Sequence, residues 1–235
     1  MTTPFWLVIP AAGVGARMAA DRPKQYLPLA GRCLIEHTLA IFLEHPGLRG
    51  TVVALAADDP YWPQLACSLD PRISRTAGGA ERADSVLAGL KQLQALGASD
   101  QDWVLVHDAA RPNLARGDLD KLLVSLAQDS VGGLLAVPAR DTLKRIDTDG
   151  RVAQTVDRSV IWQAYTPQMF RLGALRQALS AALDAGVAIT DEASALEWAG
   201  QAPRLIEGRA DNLKVTRPED LRYLEQLWDA DHGVS

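Results

Sequence analysis

Apolar positions in this chain come in short unbroken runs, separated by stretches in which they recur every three or four residues. The runs Phe5–Pro10, 51–56, Trp103–Val106 and 133–137 lack the alternation of a half-exposed strand, so they read as strands buried on both faces of a parallel sheet. Helical spacing fills the intervals. Leu34–Leu43 is the first such stretch, and residues 81–96 place Val86, Leu90 and Leu93 at i, i+4 and i+7, with Leu87 widening the face. Further helices are predicted over 118–127, 172–185 and 193–199, a strand over 204–206, and a last helix from Arg217 to about Trp228. Thr216 and Glu219 have capping-box spacing at the start of that helix, and Pro218 is tolerated in its first turn. Strands alternating with helices predict an α/β fold, a mostly parallel sheet flanked by helices. Its ligands bind beyond the carboxyl ends of the strands, where Gly13 and Asp108 fall.

One region departs from the alternation. Residues 142–146 and 152–156 flank Asp147, Thr148, Asp149 and Gly150, and Asp-Gly is a hairpin-turn signal. The expectation is a single domain over 1–235 with a β-hairpin arm, 138–162, projecting from it. A two-stranded ribbon is marginal alone, so the arm is expected to pack on a second subunit.

Composition narrows the partners. With 235 residues, 48% hydrophobic and 23% charged, the chain is an ordinary globular protein, neither disordered nor collagen-like. A formal charge of −5 argues against broad binding to nucleic acid or anionic lipid, so any bound anion must meet a local basic cluster. Cys33 and Cys67 lie far apart with no second Cys or His at metal-ligand spacing, which indicates neither zinc nor a disulfide framework and fits the cytoplasm. No Lys or Arg precedes the apolar start, which is therefore read as a strand and not a secretory leader. No apolar run approaches the ~20 residues that span a bilayer.

Three groups of residues carry chemistry. Gly13-Val-Gly15 directly after a strand lets backbone N–H groups approach phosphate oxygens. A dinucleotide fingerprint would place Gly or Ala at position 18, which is Met18, and Gly-Lys-Ser/Thr of a Walker loop is absent. Instead Arg17, Arg22 and Lys24 follow, against the single acid Asp21, and Pro23 presets the backbone before Lys24. That pattern suits an anion; a tight turn with solvated cations is the plainer alternative. Asp108 and Arg111 follow the strand Trp103–Val106, where a carboxylate is placed to hold Mg2+ bridging phosphate oxygens. The competing reading of these two is a helix cap or an ion pair. Asp211 and Lys214 form the third group. In an extended segment Asn212 and Lys214 face one way and Asp211 the other, so both charges reach one ligand only if the backbone turns. His107, at a buried strand end, is read as structural.

These segments also occur together in a known order. Pro10-Ala-Ala-Gly-Val-Gly-Ala-Arg-Met, Pro23-Lys-Gln-Tyr-Leu, Gly78-Gly-Ala-Glu-Arg-Ala-Asp-Ser-Val, Val106-His-Asp-Ala-Ala-Arg-Pro, Val156-Asp-Arg, Tyr165-Thr-Pro-Gln, Ile189-Thr-Asp-Glu-Ala-Ser-Ala-Leu and Glu207-Gly-Arg-Ala-Asp-Asn-Leu-Lys-Val-Thr closely resemble the 2-C-methyl-D-erythritol 4-phosphate cytidylyltransferases over nearly the whole chain. The resemblance implies a Rossmann-like homodimer working with Mg2+, condensing CTP with methylerythritol phosphate to give the cytidine diphosphate alcohol and pyrophosphate in non-mevalonate isoprenoid synthesis. By matching position it implies that Ala11, Ala12, Gly13, Gly15, Arg17 and Lys24 grip the triphosphate, with Gly79, Arg82 and Ser85 near the cytosine and ribose. Asp108 and Lys214 complete the nucleotide and metal site, to which Asp211 is added as a metal-ligand candidate. Arg111, Thr142, Arg158, Thr166 and Thr190 match positions lining the polyol phosphate pocket, with Arg158 reaching across the dimer. Arg17, Lys24 and Lys214 are expected to act on the α-phosphate. Ala80 departs from the acidic or polar residue expected there, which leaves the base a backbone contact. Rivals are a ribitol phosphate cytidylyltransferase, a nucleotide-sensing module without turnover, and an NAD-dependent oxidoreductase that Met18 disfavours.

Overall fold

In the computed structural model, which describes residues 2–13 and 21–232, the unbroken apolar runs form the middle of a sheet and the periodic stretches cover both its faces. In chain order the elements are β1 (Phe5–Pro10), β2 (Pro28–Leu29), β3 (Arg32–Cys33), α1 (Leu34–Leu43), β4 (Leu48–Leu55), β5 (Ile73–Ala77), α2 (Arg82–Ala95), β6 (Trp103–Val106), α3 (Arg116–Leu126) and β7 (Gly132–Pro138). Then come β8 (Leu143–Ile146), β9 (Val152–Val156), β10 (Trp162–Arg171), α4 (Leu172–Asp184), α5 (Glu192–Trp198), β11 (Arg204–Glu207) and α6 (Pro218–His232).

Seven strands form the main sheet in the order β11-β7-β10-β6-β1-β4-β5. All neighbouring pairs are parallel except those of β10, which runs antiparallel to both β6 and β7. Successive side chains of a strand point to opposite faces, and the core divides accordingly. Phe5, Leu7 and Ile9 of β1 join Leu105 of β6 and the apolar sides of α1 and α3 in one cluster. Val8, Val104 and Val106 join α2, α4 and α5 in another on the opposite face. Both faces being covered is the physical reason β1 and β6 carry no polar alternation.

Two strands of the main sheet lay outside the predicted pattern. β10 contains Pro167 and buried Gln168, and proline argues against a central strand. The chain accommodates it with a register shift against β7 between Ala164 and Gln168, which leaves Tyr165, Thr166 and Pro167 without β7 partners. β5 is an edge strand with partly exposed residues and no apolar run to announce it. The cap of α6 also differs. The carboxylate of Asp220, not Glu219, accepts from the N–H groups of Thr216 and Arg217 and from the Thr216 hydroxyl, each at 2.8 Å. The helix begins at Pro218, so position N3, from which a carboxylate reaches back to the N-cap, is Asp220.

The hairpin arm lies where expected. β8 and β9 pair antiparallel, Gly150 takes φ +76° in the turn, and nearly every residue of both strands is exposed. The arm interrupts the chain between β7 and β10, whose ends Pro138 and Trp162 pair with one another.

Candidate active site

The parallel strands deliver their following loops to one edge of the sheet. Ala11, Ala12 and Gly13 follow β1, Gly78 and Gly79 follow β5, and His107 to Arg111 follow β6. The loop after β5 packs too closely for side chains. A Cβ on Gly78 would lie 2.4 Å from Ala12 Cβ, and one on Gly79 would lie 2.2 Å from Asp84 Cβ. These glycines press the Gly79 amide onto Ser85, whose hydroxyl accepts from it at 3.1 Å. Gln25, buried, donates 2.7 Å to the Ala11 carbonyl and so ties the segment bearing Lys24 to the loop after β1. Gln25 carried no signal as a single residue in the sequence; only its place beside Lys24 pointed toward the site.

These loops enclose a cleft lined by Ala11, Ala12, Gly13, Lys24, Gly79 and Ser85, and closed at its floor by Arg82, Asp108 and Lys214. Those last three also wall a second cleft, which contains Arg111, Thr166 and Thr190. The two clefts therefore share one charged partition.

Asp108 is the centre of that partition. Arg82 Nε lies 3.2 Å from Oδ1, and Arg111 Nε at 3.2 Å and Lys214 Nζ at 3.0 Å share Oδ2. Burial by itself raises a carboxyl pKa, but Arg82, Lys214 and Arg111 together outweigh it and hold Asp108 well below the usual carboxylate range. Arg82 is in turn gripped by both oxygens of Glu192, at 2.6 and 3.1 Å, and Glu192 is 1% exposed. Three cations against two carboxylates leave the partition at +1, with Lys24 facing it. In a chain of net −5 this is the local basic cluster that an anion requires.

A second layer sets the backbone of Asp108. His107 Nε2 lies 3.0 Å from the Arg111 carbonyl, which can only accept, so Nε2 bears the proton. Nδ1 then accepts from the Thr166 hydroxyl at 3.0 Å, and that oxygen accepts from the Asp108 N–H at 3.1 Å. Burial, the largest influence, pushes His107 down to about 4. Its folded pKa thus lies below the ~6.5 of an unfolded chain. The unfolded state takes up the proton first, and stability is lost as pH falls from about 6.5 toward 4. Urea midpoints should therefore drop between pH 7 and pH 5 by more in the wild type than in His107→Gln; equal drops in both would show that His107 does not contribute.

The remaining predicted residues fall as follows. Gly15 and Arg17 lie outside the described residues. Arg22 pairs with Asp21 at 3.3 Å and is not among the residues that line the glycine-lined cleft. Asp211 is not brought to Asp108. Its carboxylate accepts from Arg209 Nε at 2.9 Å, and it lines neither cleft. Thr142 and Arg158 are exposed on the arm and line neither cleft of their own chain. Two residues at the partition had drawn no individual role from the sequence. Glu192 is a polar residue just before a predicted helix, and Asn212 sits in a loop; only the folded chain shows both to be buried.

A glycine-lined cleft at the carboxyl ends of a parallel sheet, sharing its cations with a second polar pocket, defines a nucleotidyltransferase. Residues 5–228 match the model of the family 2-C-methyl-D-erythritol 4-phosphate cytidylyltransferase, and the chain belongs to that family. It is 77% identical over 228 residues to the enzyme of that name from Ectopseudomonas mendocina (strain ymp), covering 97% of each chain. A crystal structure of 4-diphosphocytidyl-2C-methyl-D-erythritol synthase superposes with a TM-score of 0.84 at 38% identity, covering 97% of this chain and 100% of the other. The Francisella tularensis 2-C-methyl-D-erythritol 4-phosphate cytidylyltransferase superposes with a TM-score of 0.81 at 34% identity, covering 95% and 99%.

Proposed function

We propose that the glycine-lined cleft takes CTP, that the second cleft takes 2-C-methyl-D-erythritol 4-phosphate, and that the shared partition is where the two react. The products are 4-diphosphocytidyl-2-C-methyl-D-erythritol and pyrophosphate. The observation that carries this reading is that Arg82, Asp108 and Lys214 line both clefts, so a phosphate in one and an α-phosphate in the other meet the same charges. An oxygen of the acceptor phosphate forms a bond to the α-phosphorus while the bond to pyrophosphate breaks in line. Both reactants are anions, and the chain's task is to offset their repulsion and the charge that grows on the α-phosphate. Lys24, Lys214 and Arg17 are assigned that task. Backbone N–H groups of Ala12 and Gly13 hold the triphosphate, Gly79 and Ser85 hold the base side, and Arg111, Thr166 and Thr190 orient the acceptor. A phosphate monoester is already ionised near neutral pH, so no general base is required.

Mg2+ suits this donor set. Among the described residues no group of three His, Cys, Asp or Glu can cage a metal. Mg2+ is usually held through one or two carboxylates with substrate phosphates and water. Asp108, kept ionised, is the residue that would hold the ion there, and the ion would supply charge neutralisation on the phosphates. Asp211, turned toward Arg209, is left out.

The arm gives the proposed dimer its basis. Ile146, Val152 and Val160 are 63%, 62% and 73% exposed, an apolar surface that a second subunit would cover. In that arrangement Arg158 and Thr142 complete the partner's acceptor pocket. A heterodimer of Arg158→Ala and Lys24→Ala subunits then contains one intact site and should regain up to about half the wild-type activity. No recovery in a confirmed heterodimer would place the whole site within one chain. Free Cys33 and Cys67 support a cytoplasmic setting, and no described helix is long and apolar enough to cross a membrane.

The direct test is pyrophosphate release from CTP with a panel of polyol phosphates that includes methylerythritol 4-phosphate and ribitol 5-phosphate. Release with the first and not the second is expected. Preference for ribitol phosphate would overturn the acceptor, and absence of release with every member would overturn the activity.

A further inference from the structure

Lys214 sits on a segment with no regular secondary structure, yet its ammonium must be held to within a fraction of an ångström to serve the reaction. The segment before it is strapped at Arg209, Asp211 and Asn212. The Arg209 N–H donates to Asp118 at 2.7 Å, and Asn113 Nδ2 donates to the Asp211 carbonyl at 3.1 Å. Asn212 is the inmost point, 1% exposed. Its Nδ2 donates 2.9 Å to the Thr166 carbonyl on β10, and its own carbonyl accepts from Arg111 Nη1 at 2.6 Å. Beyond Lys214, the Val215 N–H donates to the Ala110 carbonyl at 2.9 Å.

These bonds converge on one relation. Asn212 joins the Lys214 segment to β10 of the acceptor cleft and to Arg111, while Arg111 and Lys214 both bind the same Asp108 oxygen. A buried polar side chain is costly unless bonded, and the Oδ1 of Asn212 is buried without a partner. Mere filling of that space would be served better by an apolar residue. We propose that Asn212 is a positioning residue, which sets Lys214 relative to the acceptor pocket so that its ammonium meets the α-phosphate during transfer. This rests on the reading above that Lys214 acts in the transition state.

Asn212→Ala should lower kcat by roughly 10²-fold, the scale of a misplaced catalytic group, and leave the KM values for CTP and for the acceptor within about threefold. Asn113→Ala loosens the strap at a less buried point and should move kcat alone by a smaller factor; it serves if Asn212→Ala does not fold. The decisive comparison is a double-mutant cycle. Asn212→Ala placed on Lys214→Ala should change kcat by less than about threefold, because the residue to be positioned is gone. Multiplying effects would overturn the proposal, as would a raised acceptor KM with kcat intact, which would assign the Asn212 side chain to the acceptor cleft through Thr166. If Lys214→Ala lowers kcat and neither asparagine variant does, the positioning role fails while the role of Lys214 stands. If Lys214→Ala leaves kcat unchanged, both fail.

Discussion

Replacing Lys24 by alanine is expected to lower kcat by roughly 10²–10³-fold, the scale of losing one donor aimed at developing charge, with a far smaller rise in the Kd for CTP. The triphosphate keeps the backbone amides of the loop after β1 and the cations Arg82 and Lys214 at the cleft floor, so ground-state binding retains most of its contacts. What is lost is a cation on the segment that Gln25 ties to that loop, fixed in place before the nucleotide arrives. A group already positioned needs no reorganisation as the charge moves, and its contribution therefore appears in the rate. Single-turnover measurement separates the chemical step from product release. A variant with unchanged kcat and a raised KM for CTP would remove Lys24 from the reaction and leave it a binding residue. Arg17→Ala carries the same expectation from the resemblance.

Asp108→Asn should be the variant that costs most in stability, about 3 kcal/mol. Removing one member of a buried charge cluster leaves its partners uncompensated, which typically costs 3–5 kcal/mol. The lower end applies because Arg82 and Lys214 are 28% and 33% exposed and regain some hydration. In a chain of this size that corresponds to a loss in Tm on the order of 10 °C. The sign with pH follows from the depressed pKa of Asp108. The folded pKa lies below the unfolded value of about 3.9. Its stabilisation is therefore present above about pH 4 and is lost as pH falls from there toward the folded pKa. Acid unfolding below pH 4 should be steeper in the wild type than in the variant. Calorimetry at neutral pH checks the first part: a Tm within about 2 °C of wild type would mean that the cations at Asp108 repel one another little and that the pair network adds nothing to the fold.

Both predictions depend on residues brought together from distant parts of the chain, and this marks where sequence reading stopped. β1, α1 and β6 were readable to their end residues because local pattern and final environment agree: unbroken apolar runs do end up buried on two faces, and an amphipathic stretch does face a sheet. β10 was missed because Pro167 and Gln168 are locally wrong for a central strand, and only the register shift against β7 makes room for them. The cap of α6 was misplaced by one residue, since the choice between Glu219 and Asp220 turns on where the helix starts.

The site divides in the same way. The glycine loop, Lys24, Asp108 and Lys214 could be named from the sequence, because glycine beside a strand end and charge clustered in an acidic chain are local signals, and their joint order matched a known family. The two readings of Asp108, metal ligand or ion-pair partner of Arg111, could not be separated there. In the fold the ion pair exists and is larger than the local spacing suggested, since Arg82 and Lys214 join from α2 and from the segment before α6. Chemistry-bearing residue types were thus determined by the sequence itself. Their partnership was decided by tertiary structure alone: hydrogen bonds and ion pairs act over about 3 Å, and which groups approach that closely across more than a hundred residues depends on how β10 enters the sheet and on how Asn212 straps the last segment to it.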